Sequence, residues 1–264
     1  MTDNARHPCH DAVSATVRGW YTSPAPEIGL EGTTHWFGFA CTLGADLTRV
    51  VLSISDPADV PAALAGARDA CAASNFTIMV DDRARSARLD AALREHGCSY
   101  HESTTYLALI GPMVSPAPGP DGLEVTAVGT ADLETWARVK LQSFADSEED
   151  PAPDAIAADA GRRRAELPLS EYQLGVLDGE PVAVLAHYLG VDDLVFILGT
   201  RVPYRHRGIA QSILARWATA ATAATGNRSL MINATDGSAP AALYRRLGFT
   251  DEVYWYSKYE FNPF

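Results

Sequence analysis

The segment Gly111 to Gly122, GPMVSPAPGPDG, constrains the fold of this chain more than any other stretch. Pro112, Pro116, Pro118 and Pro120 remove backbone donors and fix φ, and Gly111, Gly119 and Gly122 loosen what remains, so neither a helix nor a central strand continues through it. In a chain of 264 residues, longer than the usual single domain, such a break predicts two compact units. We place them at residues 1–112 and 123–264, joined by a linker at 113–122. Apolar residues make up 47% and charged residues 20% of the chain, ordinary usage for folded globular proteins.

Composition also narrows the partners. Apolar runs such as Leu185 to Leu189 fall far short of the roughly 18 residues that span a bilayer, so no membrane association is expected. The N-terminal residues have no apolar core of the secretory kind, which predicts a cytoplasmic protein. A formal charge of −12 argues against nucleic acid. Cys9, Cys41, Cys71 and Cys98 are far apart, with no CxxC or Cys/His cluster, and read as reduced and mostly buried. No metal site is expected, and no cysteine lies in the second half to carry a covalent intermediate.

In the second half, Leu123 to Val128 alternates as a strand, and a helix is expected from an N-cap at Thr130 to about Ser143. The acidic loop DSEEDPAPD follows, then a helix from Asp154 to Glu166. Strands are expected at Glu171 to Leu177, Pro181 to Leu189 and Leu194 to Thr200, with turns at Asp178-Gly179 and Asp192-Asp193. A helix from Arg207 to about Ala224, a strand from Leu230 to Ala234, a helix from Pro240 to Leu247 stopped by Gly248, and two final strands around Tyr254 to Tyr259 complete the order.

The first half reads as a worn copy of the second. AALREHGCSYHESTTYLALI aligns with AALYRRLGFTDEVYWYSKYEF when Gly97 is laid on Gly248, an internal repeat. Upstream, a strand at Thr48 to Ile54, a helix at Pro61 to Ala73 and a strand at Phe76 to Val80 then follow the order seen from Leu194 to Ala234.

Between the strand ending at Thr200 and the next helix lies Val202-Pro203-Tyr204-Arg205-His206-Arg207-Gly208-Ile209-Ala210. A glycine in the first helical turn lets a ligand approach the backbone, and the unpaired N–H groups there favour an anion. Arg205 and Arg207 add charge beside it, which suits a pyrophosphate.

The pattern Arg205-x-x-Gly208-x-Ala210 resembles the coenzyme A loop of the GNAT superfamily of acyltransferases. Leu243, Tyr244, Gly248 and Phe249 resemble a second run of that superfamily, and together the motifs cover about Leu123 to Tyr259. The resemblance implies an α/β (α+β) fold class of tandem GNAT folds, each a mixed, mostly antiparallel sheet flanked by helices. It also implies acetyl-CoA, or another acyl-coenzyme A, as donor and a small-molecule amine as acceptor. Arg205, His206, Arg207, Gly208, Ile209 and Ala210 would hold the pyrophosphate, Leu198, Gly199, Thr200 and Val202 would run along the pantetheine, and Tyr244 would protonate the departing thiolate. Where relatives carry Asn and Ala before the tyrosine, this chain has Gly237 and Pro240, and Asn233, Asp236 or Ser238 could supply the missing polar contact.

The acceptor side is open. An alkyl amine of pKa about 10.4 needs about 4 kcal/mol to lose its proton near neutral pH, so a base or water chain is required. The strand Leu194 to Thr200 has no carboxylate where the resemblance implies one. Candidate bases are Asp193, Glu252, His187 and the acidic loop carrying Asp146, Glu148, Glu149 and Asp150, and candidate pocket residues are Asp146, Glu148, His187 and Tyr254. Arg162 to Arg164 read as a solvated helix face.

In the first half, the stretch matching the phosphate loop is near Ser55 to Val60, with Asp56 and Asp59 and no glycine, and Leu93 stands where Tyr244 would be. That half is expected to bind no coenzyme A. The expected function is acyl transfer to a small amine by direct attack, in a monomer or homodimer. The alternatives are a non-catalytic acyl-CoA sensor and an aminoacyl-tRNA-dependent transferase on the same fold.

Overall fold

A computed structural model of the chain describes residues 30–31, 36–41, 47–52, 54–71, 76–109, 113–114, 119–145, 149–168, 170–189, 193–225 and 230–261. In chain order the elements are β1 (Leu30–Glu31), β2 (Trp36–Cys41), β3 (Leu47–Leu52), α1 (Val60–Cys71), β4 (Phe76–Val80), α2 (Arg83–Glu95) and β5 (Cys98–Leu109). There follow β6 (Leu123–Ala127), α3 (Leu133–Phe144), α4 (Pro153–Glu166), β7 (Ser170–Leu177), β8 (Glu180–Tyr188) and β9 (Asp193–Thr200). The last elements are α5 (Ile209–Thr225), β10 (Leu230–Thr235), α6 (Ala239–Arg246) and β11 (Phe249–Phe261). Where two strands were expected at the end there is one strand of 13 residues, and no glycine or proline interrupts it after Gly248.

The chain forms two compact units that do not follow its order. One comprises Met1–Tyr106, Ala234–Ala242 and Glu252–Phe264, the other Leu107–Asn233 and Leu243–Asp251. In the first unit β3 and β4 run parallel, joined by α1, and β11 pairs antiparallel with β4 from Ser257↔Val80 to Phe261↔Phe76. Its core packs Val60, Leu64, Ile78, Leu89 and Leu93 against Tyr259 and Phe261, with Phe76 and Phe261 rings 4.8 Å apart. The last strand of the chain thus completes the sheet of the first unit. Asp56 caps the turn before α1, its Oδ1 accepting from the Ala58 N–H at 2.9 Å, so a carboxylate occupies that helix start. Cys98 is buried and free, and burial pushes its thiol up to about 12.

In the second unit β9 and β10 run parallel around α5, and β8, β7 and β6 extend the sheet antiparallel. Asp178 and Gly179 both have positive φ, 53° and 82°, as a tight hairpin turn between β7 and β8 demands. Gly97 and Gly248, the pair that sets the repeat, also share positive φ, 84° and 104°, each ending a helix before a long strand.

Helix α4 is pinned to α3 by charge. Asp159 is fully buried, and its Oδ1 accepts from Lys140 Nζ at 2.9 Å, Arg162 Nη2 at 2.7 Å and Arg163 Nη2 at 3.4 Å. Arg163 also bonds Glu166 at 2.7 Å and lies over the Trp136 ring, and the Tyr172 hydroxyl donates to Glu166 at 2.8 Å. The expected solvated arginine face is therefore corrected: Arg163 is an interior cation, because Asp159 one turn earlier faces α3 and draws it inward. No helix among the described residues is long and apolar enough to cross a membrane.

Candidate functional site

In the second unit, β9 changes neighbours halfway along. Its parallel register with β10 runs through Leu230↔Asp193, Met231↔Leu194 and Ile232↔Val195. Pairing with β8 continues to Thr200, so from Phe196 onward β9 keeps β8 on one side and has an open edge on the other. The pairing with β8 shifts at the same place: Val195 faces His187 and Ile197 faces Ala186, which leaves Phe196 as an extra residue. A bulge of this kind bends the strand and raises its twist, and it opens β9 away from β10.

Leu198, Gly199 and Thr200 lie along that open edge. A Cβ at Gly199 would stand 2.7 Å from Ser143 Cβ, so the end of α3 rests directly on this backbone and glycine is required. The Thr200 hydroxyl is buried without a hydrogen-bond partner among the described residues.

Beyond Thr200 the chain makes a 3-10 turn at Val202–Tyr204 and then bends twice through positive φ, at His206 (63°) and Gly208 (77°). Ile209 is buried and anchors the start of α5. The first α5 amide to reach a carbonyl is that of Ser212, on Gly208 at 3.0 Å. Among the described residues the amides of 206–211 have no carbonyl partner, and a Cβ at Gly208 would meet nothing within 4 Å. Unpaired amides at a helix start, next to residues of alternating backbone hand, form an anion nest.

The two arginines differ. Arg205 is tied to the backbone, donating through Nη2 to the Ser143 carbonyl at 2.8 Å and through Nε to that of Thr200 at 3.2 Å, so its charge is fixed while it braces the loop against α3. Arg207 is exposed, with its guanidinium carbon 5.5 Å from the Tyr204 ring centroid.

Tyr244 on α6 is 5% exposed, and burial raises its hydroxyl well above the ordinary tyrosine value. It holds its proton at neutral pH and makes no hydrogen bond among the described residues, so the hydroxyl is free to meet a ligand atom, while burial makes it a weaker acid than a free tyrosine. Asn233 on β10 is half-buried with its amide equally uncommitted. Its two rivals for the missing polar contact are engaged: the Ser238 hydroxyl accepts from the Ala241 N–H at 3.2 Å, and Asp236 pairs with Arg83 at 2.6 Å.

That pair belongs to a clamp inside the first unit. Arg83 donates to Asp236 and, through Nε and Nη2, to both oxygens of Glu252, at 3.1 and 2.6 Å. Thr105 also donates to Glu252, at 2.9 Å, and Arg83 stacks on Trp255, whose Nε1 donates to Asp236 at 3.2 Å. With three donors on it, Glu252 is a counterion, and little of its lone-pair capacity remains for removing a proton. Arg83→Ala is expected to leave two carboxylates facing each other. Asp236 is held below its usual range chiefly by the hydrogen bond from Arg83, and a carboxyl lowered in the folded state contributes stability above about pH 4 that fades as pH falls. Thermal melts should therefore show a larger loss for the variant at pH 8 than at pH 4. A loss independent of pH would remove charge from the explanation.

The remaining acceptor candidates are dispersed. His187 is 5% exposed beneath Trp217, ring centroids 5.6 Å apart, on the α5 face of the sheet. Its Nε2 lies 3.2 Å from Glu171 Oε2, and neither ring nitrogen makes a hydrogen bond among the described residues. Tyr254 is a core residue of the first unit, edge-on to Tyr106 at 5.5 Å. Asp193 begins β9 with its side chain outside the described residues, as are Asp146 and Glu148 entirely. The bulge at Phe196 and the Arg83 clamp were not legible in the sequence. No composition signal marks a bulge, and Arg83 meets partners 153 and 169 residues away.

No family model matches the chain, and no curated protein matches it. Solved structures do. A GCN5-related N-acetyltransferase from Kribbella flavida is 21% identical, with a TM-score of 0.66 over 97% of this chain and 96% of its own. A GCN5-related N-acetyltransferase from Sphaerobacter thermophilus is 16% identical, with a TM-score of 0.62 over 96% of this chain and 88% of its own. A tandem GNAT protein from the clavulanic acid biosynthesis pathway is 14% identical, with a TM-score of 0.60 over 86% of this chain and 78% of its own. At these identities the likeness establishes the fold alone: mixed, mostly antiparallel strands flanked by helices, the fold class expected from the sequence.

Proposed function

We propose that the second unit is an N-acyltransferase that takes an acyl group, acetyl in the simplest case, from acyl-coenzyme A and delivers it to the amine of a small molecule. The observation that carries this reading is the anion nest of residues 206–211 standing at the end of an open strand edge. The nest suits a pyrophosphate, and the unpaired edge of Phe196 to Thr200 offers backbone donors and acceptors to an amide-bearing chain such as pantetheine. The names of the structures sharing the fold agree with it. Arg207, Gly208, Ile209 and Ala210 hold the phosphates in this reading, with Arg205 bracing the loop and His206 turning it. Leu198, Gly199, Thr200 and Val202 run beside the pantetheine.

The chemistry then needs two proton movements. The neutral amine nitrogen attacks the thioester carbon, the carbon–sulfur bond breaks, and Tyr244 gives its proton to the leaving sulfur. The proton on the attacking nitrogen leaves through water, which returns one to the Tyr244 oxygen, because Leu194 to Thr200 carry no carboxylate and Glu252 is committed to Arg83. The first unit has an aspartate at the matching helix start and the buried Leu93 in place of the tyrosine, so one acetyl-CoA per chain is expected by calorimetric titration.

Tyr244→Phe is expected to lower kcat at least tenfold with acetyl-CoA affinity unchanged, as loss of a general acid typically costs about 10² to 10⁴ in rate. Unchanged kcat would remove the hydroxyl from the mechanism. The lack of a carboxylate from Leu194 to Thr200 favours one other reading, an acyl-CoA sensor without turnover. Binding of acetyl-CoA with no acylated product from any amine would establish it.

A further inference from the structure

The loop that carries the nest begins against the hairpin of β7 and β8. Ala183 pairs with Thr200, and the ladder runs on one step further, the Arg201 N–H donating to the Val182 carbonyl at 2.9 Å. This lays Arg201 along the first residues of β8, where its guanidinium donates to the Pro181 carbonyl at 3.1 Å and to Glu180 Oε1. The other oxygen of Glu180 accepts from the Tyr204 hydroxyl. One carboxylate therefore takes a donor from either end of the 3-10 turn Val202–Tyr204. Glu180 opens β8 directly after Asp178 and Gly179, whose positive φ values fix where that strand starts. The hydrogen bonds from Tyr204 and then Arg201 hold the Glu180 carboxyl below its usual range, so it is charged at neutral pH.

The Tyr204 ring links this clasp to the nest. The guanidinium carbons of Arg201 and Arg207 each lie 5.5 Å from its centroid, within cation–π reach. Arg207 makes no ion pair among the described residues, so the ring is what orients its side chain. Resting on the acyltransferase reading, we propose that Glu180 is a positioning residue of the donor site: by holding the Tyr204 hydroxyl it fixes the ring on which Arg207 rests, and so keeps Arg207 turned to the phosphates of acyl-coenzyme A. The sign of its effect sets this role apart from a simple charge. As a bare charge, a carboxylate beside this loop repels a pyrophosphate, and its removal would tighten donor binding. As a clasp, its removal frees Tyr204 and Arg207 to other rotamers, and ordering them again on binding costs affinity. An exposed pair of this kind adds little to folding stability, so affinity moves where the melt does not.

Calorimetric titration of the full chain with acetyl-CoA, beside a thermal melt, tests this with four variants. Glu180→Ala and Tyr204→Phe are each expected to weaken binding about fivefold. The double variant should be no weaker than either alone, since both changes break one bond. Glu180→Gln loses the charge but keeps an oxygen for the Tyr204 hydroxyl, and Arg201 keeps the Pro181 carbonyl, so its affinity should stay within about twofold of the parent or exceed it. All four should melt within about 4 °C of the parent. Unchanged or tighter binding by Glu180→Ala would make the carboxylate a bare charge and overturn the proposal. So would a Glu180→Gln variant as weak as Glu180→Ala, losses that add in the double variant, or a melt that falls further than this in Glu180→Ala and Tyr204→Phe alike. Each of these leaves the acyltransferase reading standing, whereas a parent chain that does not bind acetyl-CoA removes both.

Discussion

Replacing Gly208 with valine is expected to weaken acetyl-CoA binding at least tenfold, equivalent to about 1.4 kcal/mol or more, while the chain stays folded. Gly208 sits at φ 77°, where a β-branched side chain is strained. The strain costs roughly 1–2 kcal/mol, small against the about 5–15 kcal/mol that stabilises an ordinary domain. A Cβ there touches nothing within 4 Å, so the protein itself does not clash. What the substituent disturbs is the nest: relaxing the strain rotates the amides around 208 away from their common focus, and the side chain stands where a phosphate would approach. Calorimetric titration beside a thermal melt separates the two effects. Equal affinity in a folded variant would show that residues 206–211 do not hold the donor.

The largest loss of stability is expected from Asp159→Ala. The carboxylate is fully buried and three cations converge on it. Removing it strands Lys140 and Arg163 in the space between α3 and α4, and breaking a buried pair by deleting one partner typically costs about 3–5 kcal/mol. Chemical denaturation at pH 7 measures this as a fall in the midpoint. The sign with pH follows from the same cluster. Burial alone would raise the Asp159 carboxyl, but the hydrogen bond from Arg162 and the charges of Arg163 and Lys140 outweigh it and hold it below the usual range. Its contribution is therefore present above about pH 4 and is lost as pH falls through the lowered value. The parent chain should lose stability in acid more steeply than Asp159→Ala. Parallel curves would place the acid sensitivity elsewhere.

The features read correctly from the sequence share one property, locality. The Asp178-Gly179 turn, the glycine stop at Gly248 and the helix after Gly208 each depend on residues within a few positions, so their chemistry is written side by side in the chain. The loop proposed to hold the phosphates is local in the same sense: its glycine, its helix start and its flanking arginines lie within six residues. The pattern could not show that Arg205 spends its guanidinium on two carbonyls, one of them Ser143 in another helix 62 residues earlier.

The sequence by itself determined the order of elements and the position of the glycine-led helix start at Gly208, because hydrophobic period, glycine conformation and helix capping are local. The tertiary structure alone decided that the last strand completes the first unit, that Arg163 is interior, that Glu252 is a counterion and that β9 bulges at Phe196. Each of these turns on which distant groups share a low-dielectric space or a strand register, and neither quantity is a property of neighbouring residues in the chain.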